Sequence, residues 1–171
     1  MMNEHELLQI INGGESSKVQ LKERLPHPDS LAHEIIAFSN SRGGMIIFGV
    51  NDKTGALNGL SFGEIQQINQ QVVNVASQKI YPPVYLTSDT VSVKGNQIVV
   101  IGIEEGISKP YKDLNGTIYL KSGSDKRKIT SNSIQNTMLS LIALSKPKLQ
   151  TSVCSAPMPQ YSMARVLSAI S

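Results

Sequence analysis

The chain has 171 residues, 40% of them hydrophobic, and 16 Lys and Arg against 13 Asp and Glu, for a formal net charge of +3 and a sequence pI near 9.0. That length supports one ordinary hydrophobic core, and the mild basicity permits a polyanionic partner without requiring one. Cys154 is the only cysteine, which excludes an internal disulfide and an all-cysteine metal site; with an acidic start unlike a secretory signal and no apolar run near the ~20 residues of a membrane helix, the expected location is cytoplasmic.

Residues 5–11 read as a short helix with Leu7, Leu8, Ile10 and Ile11 apolar, ended by Asn12-Gly13-Gly14, whose glycines can take left-handed conformations. Residues 19–22 alternate apolar and polar, as a half-buried strand does. After Pro26 and Pro28, Asp29 or Ser30 can cap a helix on which Leu31, Ile35 and Phe38 share one face. Gly43-Gly44 then allows a tight helix-to-strand reversal, and residues 45–50 have no polar alternation, which predicts a strand covered on both faces.

Ile65, Ile68, Val72 and Val75 recur at helical spacing between residues 62 and 78, and Tyr81-Pro82-Pro83 terminates that helix. Residues 84–88 and 90–94 read as extended, leading through a Lys94-Gly95-Asn96 turn into a strand over 97–104, a hairpin signature. Residues 117–121 form another short strand, and Lys126, Arg127 and Lys128 end the segment before Thr130 caps a last helix over 131–145 with Ile134, Met138, Leu141 and Ile142 apolar. Beyond Lys146-Pro147 the composition turns to Ser, Pro, Met and Gln without periodicity. The predicted organisation is one α+β domain over residues 1–146, a mixed and mainly antiparallel sheet packed with three to four helices, followed by an extended tail or arm over 147–171.

Glu15, Leu21-Lys22, Ala37-Phe38-Ser39-Asn40-Ser41-Arg42-Gly43-Gly44, Gly49-Val50-Asn51-Asp52, Gly55, Gly59, Pro110-Tyr111 and Tyr119-Leu120-Lys121-Ser122-Gly123-Ser124 stand in one order along the chain. This series resembles the Schlafen/Alba-like DNA-binding domain family of bacterial transcriptional-regulator type, over roughly residues 13–128. The resemblance implies nucleic-acid binding, DNA ahead of RNA, with Lys22 and Lys121 on the polyanion surface. Lys121 replaces the family's usual Arg, which keeps the charge and loses bidentate phosphate geometry. Family members often carry a further effector region, so the chain is expected to be either a piece of a longer regulator or a module that works as an oligomer, here a homodimer.

In the eukaryotic Schlafen relatives an acidic trio is associated with metal-dependent RNA cleavage, since Mg²⁺ or Mn²⁺ takes hard oxygen ligands against a phosphodiester. Glu15 matches the first position and Asp52 the third, as catalytic residues and metal ligands of a nuclease alternative, but Gln20 stands at the second. Glu23 is offset from Gln20 by an odd number and would point to the opposite face of the strand. The plainer reading places Glu15 on backbone amides at a turn and Asp52 in a β-turn. No cofactor is expected outside the nuclease alternative.

For the binding reading the candidate phosphate contacts are Lys18, Lys22 and Arg24, which alternate onto one strand face, together with Arg42, Lys121, Lys126, Arg127 and Lys128. The glycines match neither a P-loop nor a G-x-G-x-x-G turn, and His5, His27 and His33 lack metal-ligand spacing. With no Trp, three Phe and five Tyr, no evident set of stacking platforms stands out.

Overall fold

The apolar run Met45-Ile-Ile-Phe48 lies in the middle of the molecule. A computed structural model describes residues 2–129, and in that structure the run forms β2 (Gly44–Phe48), flanked by β1 (Val19–Lys22) in parallel and β5 (Asn96–Ile103) antiparallel. β4 (Leu86–Val93) completes the main sheet, in the order β1-β2-β5-β4. Successive residues of β2 alternate between two cores, which is why the run shows no polar alternation. Ile46 and Phe48 pack with α2 (Pro28–Asn40) and α3 (Phe62–Gln78), while Ile47 packs with Leu7 and Ile11 of α1 (Glu4–Asn12). The fold is α+β, with three helices among the described residues on a mixed, mainly antiparallel sheet in one small domain.

Each helix has a local reason to begin where it does. Asn3 and Glu6 form a capping box on α1, and Ser61 and Glu64 form another on α3. For α2 the start falls earlier than the Asp29 or Ser30 cap expected from the sequence. His27 is the N-cap, accepting from the Asp29 amide, and Pro28 takes the first helical position, where its missing N–H costs nothing. Gly43 and Gly44 make the reversal into β2 at positive φ, and a Cβ on Gly44 would lie 2.6 Å from the Lys18 carbonyl oxygen and from the Phe38 ring.

Two further expectations need correction. The two extended segments expected over 84–88 and 90–94 are one continuous strand, β4, turning into β5 at Lys94 (φ 49°) and Gly95 (φ 82°). Lys126, Arg127 and Lys128, expected only to end the segment, form a strand of their own, β8 (Asp125–Ile129), hydrogen-bonded antiparallel to β7 (Ile118–Ser122). A two-residue ladder of β3 (Ile80–Tyr81) with β6 (Lys112–Asp113) ties the end of α3 to the segment ahead of β7. The helix expected over 131–145 and the tail over 147–171 lie outside the described residues.

Candidate nucleic-acid interface

Asn40 is where three separated parts of the sequence motif meet. Its side chain is buried at the last turn of α2; Nδ2 donates to the Tyr111 carbonyl at 2.8 Å and the Tyr119 carbonyl at 3.1 Å, and Oδ1 accepts from the Tyr111 amide at 2.7 Å. Ser41 continues the joint, its hydroxyl accepting from the Lys121 amide at 3.0 Å. The end of α2 thus holds both Pro110-Tyr111 and the β7–β8 hairpin by backbone atoms, which no sequence periodicity reveals.

The hairpin is fastened to β1 and α2 by a buried ionic cluster. The Lys121 side chain is 1% exposed; its Nζ donates to Gln20 Oε1 at 2.8 Å and to the Ser124 carbonyl at 2.5 Å, lies 3.8 Å from Glu34 Oε2, and sits 4.7 Å from the centroid of the Phe38 ring. Burial pulls its ammonium below the ordinary lysine range; the Glu34 and Glu15 carboxylates oppose that, whereas Lys126 and Lys22 add to it. Lys126, directly across the hairpin from Lys121, reaches Glu34 Oε1 at 2.7 Å. Like charges facing each other across a strand pair destabilise it, and the Glu34 carboxylate between them offsets that repulsion. Glu34 was not identified from sequence, although a carboxylate midway between Leu31 and Phe38 on an apolar helix stripe is a readable signal.

Glu15 closes the outer edge of β1, accepting from the Leu21 amide at 3.0 Å and from the Gln20 side-chain amide. Asp52 is exposed in the turn after β2, which is held by Asn51: its Oδ1 accepts from the Lys53 and Thr54 amides, and its Nδ2 donates to Glu23 at 2.9 Å. Among the described residues no three His, Cys, Asp or Glu side chains gather into a group able to hold a metal ion. The donors do not fit a divalent cation as arranged, because Glu15 is engaged by two N–H groups and the second position, Gln20, is turned to an ammonium.

The remaining cations fall into two sets. Arg24 pairs with Glu64 at 2.7 Å, away from the cluster, and neutralises the first turn of α3. Lys18, Arg42, Arg127 and Lys128 are exposed and Lys22 is half-buried. Lys18 and Arg42 stand at the same end of the sheet, since the Lys18 carbonyl accepts from the Met45 amide at the start of β2. On β8, Lys126 and Lys128 share a face and Arg127 takes the other, so the run is not one continuous contact surface.

Beside the hairpin, His33 stacks on Tyr119 with centroids 4.2 Å apart, and its Nε2 lies 3.5 Å from Asp113 Oδ2. Burial depresses the imidazole below the usual range, against the pull of Asp113.

A model of the family described as Schlafen, AlbA_2 matches residues 15–130. Among solved structures, the chain is similar to the N-terminal domain of a Nitrosomonas europaea protein related to the ATP-dependent DNA helicase RecG, at 19% identity and a TM-score of 0.54, covering 77% of this chain and 96% of that one. It is also similar to the DIP2311 protein of Corynebacterium diphtheriae, at 21% identity and a TM-score of 0.49, covering 66% of this chain but only 22% of that one. No curated protein matches the sequence.

Proposed function

The chain belongs to the Schlafen, AlbA_2 family, and on that premise we propose that it binds nucleic acid, DNA within a regulatory or transcriptional setting, through phosphate contacts from β1 and the β7–β8 hairpin. The observation that carries this reading is the Lys121–Gln20 bond at 2.8 Å, which seats the hairpin against β1, so that Lys18 and Lys22 of β1 and Lys128 of β8 stand on neighbouring elements, with Arg42 at the same end of the sheet as Lys18 and Arg127 on the other face of the hairpin. Lys121 and Lys126 act from inside this arrangement, holding the hairpin in place, and the exposed cations meet phosphate. Contacts of this kind position a duplex without reading its sequence.

The test is a retardation series with labelled duplex DNA, single-stranded DNA and structured RNA, with Mn²⁺ present and salt varied. Intact, salt-sensitive complexes, weakened by Arg127→Glu and by Lys128→Glu, support the proposal, because each phosphate that is no longer neutralised removes about one unit from the log–log salt slope. Fragments abolished by Asp52→Ala and increased by Gln20→Glu would replace it with the nuclease reading. Free probe throughout would overturn both.

A further inference from the structure

The main sheet treats its two edges differently. At the β1 edge three of the outward backbone groups have partners: Ser16 donates its amide to the Val19 carbonyl at 2.9 Å, the Ser16 hydroxyl accepts from the Val19 amide at 3.2 Å, and Glu15 takes the Leu21 amide. Among the described residues the β4 edge has no such cover. The two-residue turn pairs Val93 with Asn96, so alternation along the antiparallel ladder aims the N–H and C=O groups of Ser88, Thr90 and Ser92 away from β5. Among the described residues those backbone groups have no protein partner. β4 is eight residues long, contains neither Lys nor Pro, and carries one charge, Asp89. Natural edges are shielded by just the devices this strand lacks.

We propose that β4 is a self-association edge, pairing antiparallel with β4 of a second copy about a two-fold axis through Thr90. The sequence of the strand argues for a second copy over a foreign one. Its edge-facing residues read Ser88, Thr90, Ser92, the same in both directions, so a two-fold pairing sets hydroxyl against hydroxyl at each of them. In the register that places Thr90 opposite Thr90, Ser88 meets Ser92 twice, and these pairs exchange backbone hydrogen bonds. Asp89 then faces Val91 of the second copy, so the strand's only charge never meets itself. Hydroxyl pairs across strands are favourable, and like charges directly opposite are not. The result is a continuous eight-stranded sheet in the order β1-β2-β5-β4-β4-β5-β2-β1.

Thr90→Pro provides the test, because it removes an N–H that points outward and leaves the β4–β5 ladder intact; proline is tolerated at such edge positions. Sedimentation equilibrium of the full chain over a micromolar concentration series should give twice the 18.6 kDa chain mass. Thr90→Pro, and Thr90→Lys as a second variant that sets two ammonium groups face to face, should each halve it with an unchanged circular dichroism spectrum. In a Cys154→Ser background, Thr90→Cys should cross-link under mild oxidation, since Cα atoms in such a pair are about 5.5 Å apart, whereas Ser77→Cys on α3 should not. A single-chain mass at every concentration, or a dimer indifferent to both Thr90 variants, overturns the proposal. A single-chain mass restored to a complex only by an added extended peptide would assign the edge to a foreign strand instead.

Discussion

Asn40→Ala should be the most damaging polar substitution in the domain. Three backbone groups depend on that one side chain: the Tyr111 amide, the Tyr111 carbonyl and the Tyr119 carbonyl, the first two fully enclosed. A buried donor or acceptor left without a partner costs about 1–3 kcal/mol. Allowing the half-open Tyr119 carbonyl to recruit water, the sum is about 3–6 kcal/mol, a large part of the 5–15 kcal/mol typical of a domain. In urea, with a slope of about 1.5 kcal/mol per molar, the midpoint should fall by about 2–4 M. Asn40→Asp separates hydrogen bonding from size: a carboxylate still accepts from the Tyr111 amide, but its second oxygen is pressed against two carbonyl oxygens. Its folded-state pKa must therefore exceed the unfolded value, so its stability is greatest below the unfolded pKa and is lost as pH rises through the folded one. The gap to wild type should narrow from pH 7 to pH 4.5. A midpoint shift below about 0.5 M for Asn40→Ala, or an aspartate tolerated at neutral pH, would refute the assignment of Asn40 as the joint between α2, the Tyr111 segment and β7.

Lys121→Met should destabilise by about 1–3 kcal/mol, because it strands the Gln20 Oε1 acceptor; Glu34 keeps Lys126 at 2.7 Å, so adding Glu34→Gln should lower stability further in a double-mutant cycle. Gly44→Ala should abolish or severely weaken folding, given the 2.6 Å approach to the Lys18 carbonyl and the Phe38 ring at φ 155°, whereas Gly63→Ala, with nothing within 4 Å in α3, should raise the melting temperature. His33 has a depressed folded-state pKa, so its contribution is present above the unfolded value of about 6.5 and is lost as pH falls toward the folded one. His33→Gln should flatten that decline in thermal melts across pH 5 to 7.

The elements that periodicity could reach were those whose burial is set by one face at a time. Leu31, Ile35 and Phe38 marked α2, the all-apolar Met45-Ile-Ile-Phe48 marked a doubly covered strand, and Lys94-Gly95 marked the hairpin, because each pattern is local. β8 was invisible for the opposite reason: Asp-Lys-Arg-Lys has no strand propensity, and what makes it a strand is its partner β7 and the Glu34 carboxylate between Lys121 and Lys126. The site was legible as residue types and not as roles. Lys121 was expected to meet phosphate, and its side chain is enclosed; Glu15 was expected at a turn or a metal, and it caps a strand edge. The Glu15 contact with the Leu21 amide is local and agrees with the plainer reading of that residue as a backbone-amide acceptor; the Lys121 outcome depends on which elements neighbour β1, and strand order is a long-range property that no window of sequence contains.

Of the eight cations singled out from the sequence, Lys18, Lys22, Arg42, Arg127 and Lys128 are exposed or half-buried outside these ion pairs, since Arg24, Lys121 and Lys126 are engaged by carboxylates or amides. One copy can therefore neutralise at most about five phosphates, a salt slope of magnitude about 4.5. Pairing through β4 would place the two β1 strands seven strand spacings apart, about 34 Å at 4.8 Å each, which is about one turn of B-form duplex. The two-fold axis relates the two hairpins, so a duplex that meets both does so at equivalent phosphates. The paired protein should then show a slope approaching twice that of Thr90→Pro on a duplex longer than two turns, and equal slopes on one shorter than a turn. Equal slopes on both lengths, with pairing itself demonstrated, would mean that the basic elements do not face a common duplex.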